Sequence, residues 1–313
     1  MCIYFRLTMV SILAYGLSAC VSSPMEQLKF NSEILKYEGE SRGAIKPVIA
    51  LVATPLETKV PLPVVITQHG SSRDGMTFPG GEGQTDEYST RLLREGTKRG
   101  FAVVALDAFY KTSIKSSDKR KFPNAFQYAF VLREILANDP RFDRKNIFFT
   151  GFSYGAAQVN KSVGGRINYG SNPWRAIAAA EPGCNVVSDP VKVAFSILMI
   201  KGADSHYYVE PCQFFTKLLQ KAGNDASLTI IDDANHFFST NGRITNGIAV
   251  NGCRYNPVIR KTDGSNVFAD GTTATRKIIT DRCITKEAGS GQNRVHLDKV
   301  SDQVLTFFEA HKI

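Results

Sequence analysis

The ten residues Ile147-Phe148-Phe149-Thr150-Gly151-Phe152-Ser153-Tyr154-Gly155-Ala156 constrain the fold more than any other part of this chain. An apolar run with strand character ends in G-x-S-x-G, and a helical pattern begins immediately after it. A strand that reverses so tightly into a helix leaves no room for flanking side chains, which accounts for the two glycines. The turn lifts the Ser153 hydroxyl above the ends of the strands, and the helix start behind it favours developing negative charge. G-x-S-x-G on its own is weak, and the strand–turn–helix context gives it meaning.

The rest of the chain supplies the matching frame. Strands are expected at 33–37, 48–54, 64–67, 101–106, 147–150, 176–180, 197–200 and 228–231. Helices are expected at 86–98, 124–137, 211–222 and 297–311, with one more opening at Ala156. Short apolar runs alternating with helical patterns indicate α/β architecture: a mainly parallel twisted sheet of about seven or eight strands with helices on both faces. The chain has 313 residues, 43% hydrophobic and 21% charged. That balance excludes a disordered or multi-span membrane chain. Residues 33–313 are expected to form a single domain, interrupted at about 239–292 by a polar, Gly- and Asn-rich excursion.

The first residues are expected to lie outside the domain. Arg6 precedes an apolar stretch from Leu7 to Leu17, the length of a secretory core rather than of a comfortable span. It runs into Leu17-Ser18-Ala19-Cys20, which resembles the lipobox of bacterial lipoproteins. That resemblance implies a signal peptide over 1–19, lipid on Cys20, a tether over 20–32, and attachment to the cell envelope. Val21 in place of an acidic residue resembles lipoproteins sorted outward, to an outer membrane facing the periplasm. An uncleaved anchor and an ordinary signal-peptide cut are the alternatives.

Cysteine usage agrees with export. Beyond Cys2 and Cys20 there remain Cys184, Cys212, Cys253 and Cys283, which an oxidising compartment would pair. The expected pairs are Cys184–Cys212, joining two loops at one end of the sheet, and Cys253–Cys283, closing a local loop. No C-x-x-C or His-rich spacing suggests a metal site, and no cofactor is expected. The net charge is +9, and the densest basic stretch runs from Lys111 to Lys121. Without a stacking-aromatic module beside it, nucleic-acid binding is not expected, and the stretch is expected to be a solvated loop.

A serine hydroxyl needs a base, and the chain offers His69, His206, His236, His296 and His311. His236 follows the last strand, at the carboxyl end of the sheet where Ser153 must sit. His206 is its competitor, while His296 and His311 belong to the terminal helix. The acid should follow the strand before that of the histidine, which selects Asp204, with Asp189 a weaker substitute. Oxyanion donors are expected from the backbone N–H groups of Tyr154 and Ser71, with Gly70 allowing close approach. His69 is expected to pack beneath that loop.

With these residues in place, the blocks PLPVVITQHGSSRDG, RGFAVVALDAFY, NIFFTGFSYGAAQ, AFSILMIKGADSHYYVEPC and LTIIDDANHFF resemble, in order, the dienelactone-hydrolase-like branch of the α/β-hydrolases. The resemblance runs from about residue 47 to the C-terminus. It implies a Ser-His-Asp triad of Ser153, His236 and Asp204 acting on a small-molecule or polymeric carboxylic ester. Cys184 and Cys212 also resemble a disulfide pair of secreted members. Dienelactone hydrolases proper use a cysteine nucleophile where this chain has serine, and no arginines match their carboxylate-binding pair. A serine peptidase of the same fold and a non-catalytic binding scaffold are the alternative readings.

Overall fold

The computed structural model describes residues 30–57, 61–164, 173–236, 243–290 and 293–313. The expected signal peptide, Cys20 and most of the tether lie outside these residues. The chain opens with the hairpin β1 (Asn31–Ser41) and β2 (Ala44–Thr54). Its two-residue turn has positive φ at both Arg42 and Gly43, the backbone that matches strand twist in tight hairpins. Strands and helices then alternate: β3 (Leu62–Gln68), α1 (Glu87–Lys98), β4 (Ala102–Asp107), α2 (Ala125–Ala137), β5 (Phe142–Phe152) and α3 (Tyr154–Asn160). The series continues with β6 (Ala176–Ala180), β7 (Val186–Ser188), β8 (Ser196–Gly202), α4 (Glu210–Lys221) and β9 (Ala226–Ile231).

Eight of these strands form one sheet in the order β1-β2-β4-β3-β5-β6-β8-β9. Strand β2 alone runs against the others. The alternating side chains of β4 show how the layers are filled. Ala102, Val104 and Leu106 face the core under α2, α3 and α4, and Val103 and Ala105 face the core under α1 and the terminal helix. A strand covered on both faces needs a continuous apolar run, which is what the sequence supplies. Phe148 and Phe149 divide between the same two layers, fully buried. Each such burial contributes roughly 1.5–3 kcal/mol. Helix α1 is set by Asp86, whose side chain accepts from the Ser89 N–H, and it stops at Gly100, where φ is +80°.

The excursion departs from the expectation of an extended polar loop. It contains β10 (Arg243–Ala249), β11 (Val258–Arg260), β12 (Asn266–Phe268), the single turn α5 (Arg276–Ile278) and β13 (Thr285–Ser290), before the terminal helix α6 (Arg294–Ala310). Strands β10 and β13 pair with each other. Strand β11 pairs with β12 and, in parallel, with β7 in the loop after β6. A small apolar cluster of Val258, Phe268, Ala274 and Cys283 gives the excursion its own core. The Cys253–Cys283 disulfide closes beside that core. The second expected disulfide, Cys184–Cys212, ties the loop after β6 to the first turn of α4.

Candidate active site

Because the central strands run in parallel, β3, β5, β6, β8 and β9 deliver their following loops to one edge of the sheet. Ser153 stands there between β5 and α3 with φ 53° and ψ −109°. For a residue with a Cβ this backbone costs on the order of 1–3 kcal/mol, and neighbouring packing must hold it. A Cβ added to Gly155 would lie 2.0 Å from the Gln68 carbonyl oxygen, and one added to Gly151 would lie 2.6 Å from the Gly155 carbonyl carbon. The Ser153 N–H donates to Ala180 O at 3.0 Å, locking the turn to β6.

The loop after β9 brings His236 onto Ser153. Its Nε2 is 2.8 Å from Ser153 Oγ and its Nδ1 is 2.8 Å from Glu181 Oε2. A carboxylate can only accept, so Nδ1 carries the proton and the Nε2 lone pair faces the serine hydroxyl. Ser153 and His236 are thus brought together as expected. The acid is a correction: the carboxylate on His236 is Glu181, not Asp204. Asp204 is exposed, and its backbone N–H serves the histidine loop by donating to Ala234 O at 2.9 Å. Asp189 is engaged elsewhere, by Lys261 at 2.9 Å.

Glu181 is the first residue after β6. It is fully buried, and its positive φ of 57° turns its side chain along the sheet edge beneath His236. Four donors converge on its carboxylate. His236, Lys201 Nζ at 2.6 Å and Ser205 Oγ at 2.9 Å share Oε2, and the Gly202 N–H meets Oε1. Burial works against the charge, but Lys201 and His236 outweigh it and hold this carboxyl down at about 2. The His236 imidazole is lowered from its ordinary value, by burial first, with Glu181 opposing and Lys201 and Lys119 adding to the shift.

Aromatic side chains close the site. His206 packs edge-on against His236 at 4.8 Å and Tyr207 does so at 5.0 Å. Burial, helped by the neighbouring His236 and Lys201, brings His206 down to about 3, so it is a neutral packing ring at working pH. Lys119, from the basic stretch expected to be a solvated loop, reaches over the rim and donates to the Tyr207 hydroxyl at 3.1 Å. The excursion supports the same loop: Asn251 accepts from the Tyr208 N–H and donates to His206 O.

Opposite, the loop after β3 is pinned from below. The Gly70 N–H donates to Asp86 Oδ2 at 2.5 Å, and His69 Nδ1 donates to Gly70 O at 2.6 Å. His69 Nε2 accepts from the Ala108 N–H at 3.0 Å, which places this histidine beneath the loop. With the Gly70 N–H taken, Ser71 is the next backbone donor on that side, facing Tyr154 at the start of α3. His296 and His311 lie on α6 and at its C-cap, away from the sheet edge. Among the described residues no group of acidic, histidine and cysteine side chains is arranged to hold a metal ion.

No family model matches the sequence, and no curated protein matches it. Solved structures do. A dienelactone hydrolase-like promiscuous phosphotriesterase from metagenomic libraries is 14% identical and superposes with a TM-score of 0.55, covering 89% of this chain and 98% of that one. The chain has the α/β-hydrolase fold. Esterase 2 of Thermogutta terrifontis is 14% identical with a TM-score of 0.49, covering 66% of this chain and 85% of that one. Dipeptidyl peptidase 4 of Porphyromonas gingivalis is 13% identical with a TM-score of 0.49, over 67% of this chain and 33% of the peptidase. In the α/β-hydrolase fold the nucleophile, acid and histidine follow in that chain order, with Asp or Glu serving as the acid. Ser153, Glu181 and His236 keep that order.

Two functional residues escaped the sequence reading, and both left a trace. Glu181 ends a strand of alanines, in Ala-Ala-Ala-Glu-Pro-Gly-Cys, next to a cysteine that had itself been singled out. Lys201 interrupts the apolar strand Ile-Leu-Met-Ile-Lys-Gly. A lysine in a strand buried on both faces needs a buried partner.

Proposed function

We propose that this protein is a dienelactone hydrolase-like serine esterase that cleaves carboxylic esters through an acyl-enzyme. The observation that carries the proposal is the unbroken series Ser153 Oγ–His236 Nε2 and His236 Nδ1–Glu181, at 2.8 Å each, on a strained turn. His236 takes the Ser153 proton as Oγ attacks the ester carbonyl carbon. Glu181 holds the ring in the required tautomer and stabilises the imidazolium. The N–H groups of Tyr154 and Ser71 receive the oxyanion, where each such donor is worth on the order of 10²–10³ in rate. Collapse of the tetrahedral intermediate breaks the C–O bond, and His236 returns the proton to the departing alcohol. Water activated by the same histidine then releases the acid and frees Ser153. No step calls for a metal or cofactor.

The test is labelling by a fluorophosphonate probe together with hydrolysis of short p-nitrophenyl esters. Wild type labels and turns over, and Ser153→Ala and His236→Ala lose both. A folded wild type that neither labels nor turns over sinks the hydrolase reading and leaves a binding scaffold.

We further propose that the enzyme works outside the cytoplasm, held to the envelope by lipid on Cys20. The two disulfides support an oxidising compartment. No helix among the described residues is long and apolar enough to cross a membrane. Mass spectrometry of the mature N-terminus checks this, since Cys20→Ala would abolish the diacylated species.

A further inference from the structure

A carboxylate in a serine–histidine–acid series ordinarily presents its whole charge to the imidazole. Here it does not, because a second buried cation shares the same oxygen. Lys201 and Glu181 side chains are both wholly inaccessible. The ammonium lies 2.6 Å from Glu181 Oε2, the oxygen that also accepts from His236 Nδ1. Ser205 Oγ completes a triangle, accepting from Lys201 at 2.8 Å and donating to Glu181 at 2.9 Å, while also accepting from the Tyr207 N–H at 3.2 Å. The Lys201 ammonium also faces the Tyr207 ring at 5.8 Å.

We propose that Lys201 is a positioning residue of the triad: with Ser205 it fixes Glu181 beneath His236 and offsets the carboxylate charge, so that His236 remains a free base in more acidic media. The inference rests on the triad proposed above.

The physical case has two parts. Desolvating a lone carboxylate is expensive, and a buried carboxyl without a cation takes up a proton instead. Lys201 prevents this and keeps Glu181 an acceptor for the His236 Nδ1–H. The ammonium also opposes protonation of the imidazole. His236 is faced by Ser153 at the start of α3, by Phe152, by Glu181 from β6, by Lys201 from β8, and by His206 and Tyr207 from the following loop. Lys119 acts from the rim. Of these, Glu181 alone favours the imidazolium, and both lysines disfavour it. His236 and Glu181 titrate as a coupled pair, and removing the Lys201 charge must raise the affinity of that pair for its first proton, whichever member holds it. The trade is weaker stabilisation of the imidazolium formed during attack.

The experiment compares wild type with Lys201→Met on the full chain. Two readouts are used: the pH dependence of kcat/KM for a p-nitrophenyl ester, and NMR titration of the His236 ring. We expect the acid limb of Lys201→Met to move upward by at least one pH unit, so that the ratio of activity at pH 5 to that at pH 8 falls at least tenfold. The imidazole titration should move with it. A uniform loss at every pH, with both limb and ring titration in place, would overturn the proposal and leave Lys201 a structural residue. If Lys201→Met does not fold, nitrogen NMR of wild type decides. The Lys201 Nζ must be a protonated ammonium bonded to Glu181 throughout the active pH range, and a neutral amine there overturns the assignment. Absence of fluorophosphonate labelling in wild type would refute the esterase reading instead, and the ring titration would still judge Lys201.

Discussion

The loops after β6 and β8 leave the same sheet edge, each begins at or near a carboxylate, and the two carboxylates have opposite fates. Glu181 turns inward, where positive φ, the donors of Gly202, Lys201 and Ser205, and His236 all converge. Asp204 stays in solvent, and only its backbone reaches the histidine loop. The glycine between them helps decide this. A Cβ on Gly202 would lie 2.2 Å from Ala234 O, so the histidine loop crosses directly over the end of β8. A side chain departing from Asp204, two residues on, is already past the imidazole. A carboxylate's role is therefore set by the backbone direction at the strand end and not by which strand it follows.

Substitutions at the two positions test this contrast most strongly. Glu181→Gln is expected to lower kcat by roughly 10³–10⁴, in the range seen when a triad acid is made neutral with its geometry intact. It also leaves Lys201 buried without its counter-charge, so the melting temperature should fall as well. A kcat within tenfold of wild type would break the comparison. Reversing it, Asp204→Asn is expected to leave kcat/KM within about twofold and stability within about 0.5 kcal/mol. It is the smallest effect of the set.

Between these extremes lie the disulfides. Cys184–Cys212 spans 28 residues and Cys253–Cys283 spans 30, so loop-closure entropy assigns each a similar stabilisation of about 3–4 kcal/mol. Their effect on turnover should differ. The paired change of Cys184 and Cys212 to serine frees the loop that carries Glu181 and should lower kcat even well below the melting temperature. The same change at Cys253 and Cys283 should cost stability with a smaller loss of turnover. Urea denaturation beside steady-state kinetics separates the two.

A smaller effect concerns acid. His206 is brought down to about 3 in the fold, chiefly by burial, against about 6.5 when unfolded. The unfolded chain then binds more protons across that interval, so stability falls as pH drops from about 6.5 toward 3. His206→Phe should flatten that slope, as followed by melting temperature against pH. His236, lowered in the same direction, keeps part of it in place.

How much of this was legible in the sequence follows from where the physics is local. The Ser153 turn could be read because its steric demands fix residue types within five positions. His236 could be read because the end of β9 dictates which edge it joins. The alternating layers could be read because both-face burial of β3, β4 and β5 leaves continuous apolar runs. The acid could not be read in that way, since Glu181 and Asp204 are equally plausible until the φ at Glu181 and the crossing at Gly202 are known. Lys201 and Glu181 explain each other only when paired, and their strands are neighbours only in space. Strand β7 was invisible for a similar reason: Val186–Ser188 is extended because it pairs with Val258–Arg260 far along the chain.

That last pairing carries a consequence for engineering. Strand β11 is held in register against the segment that follows Glu181 and Cys184, and Asn251 grips the backbone of the His206–Tyr208 loop. The excursion is therefore not an ornament that can be pruned or transplanted as a cassette. Deleting it would strip hydrogen bonds from both walls that flank the histidine. Grafting it onto a smaller relative would require the host to donate a strand, so the insertion and the loops it braces form one inherited unit.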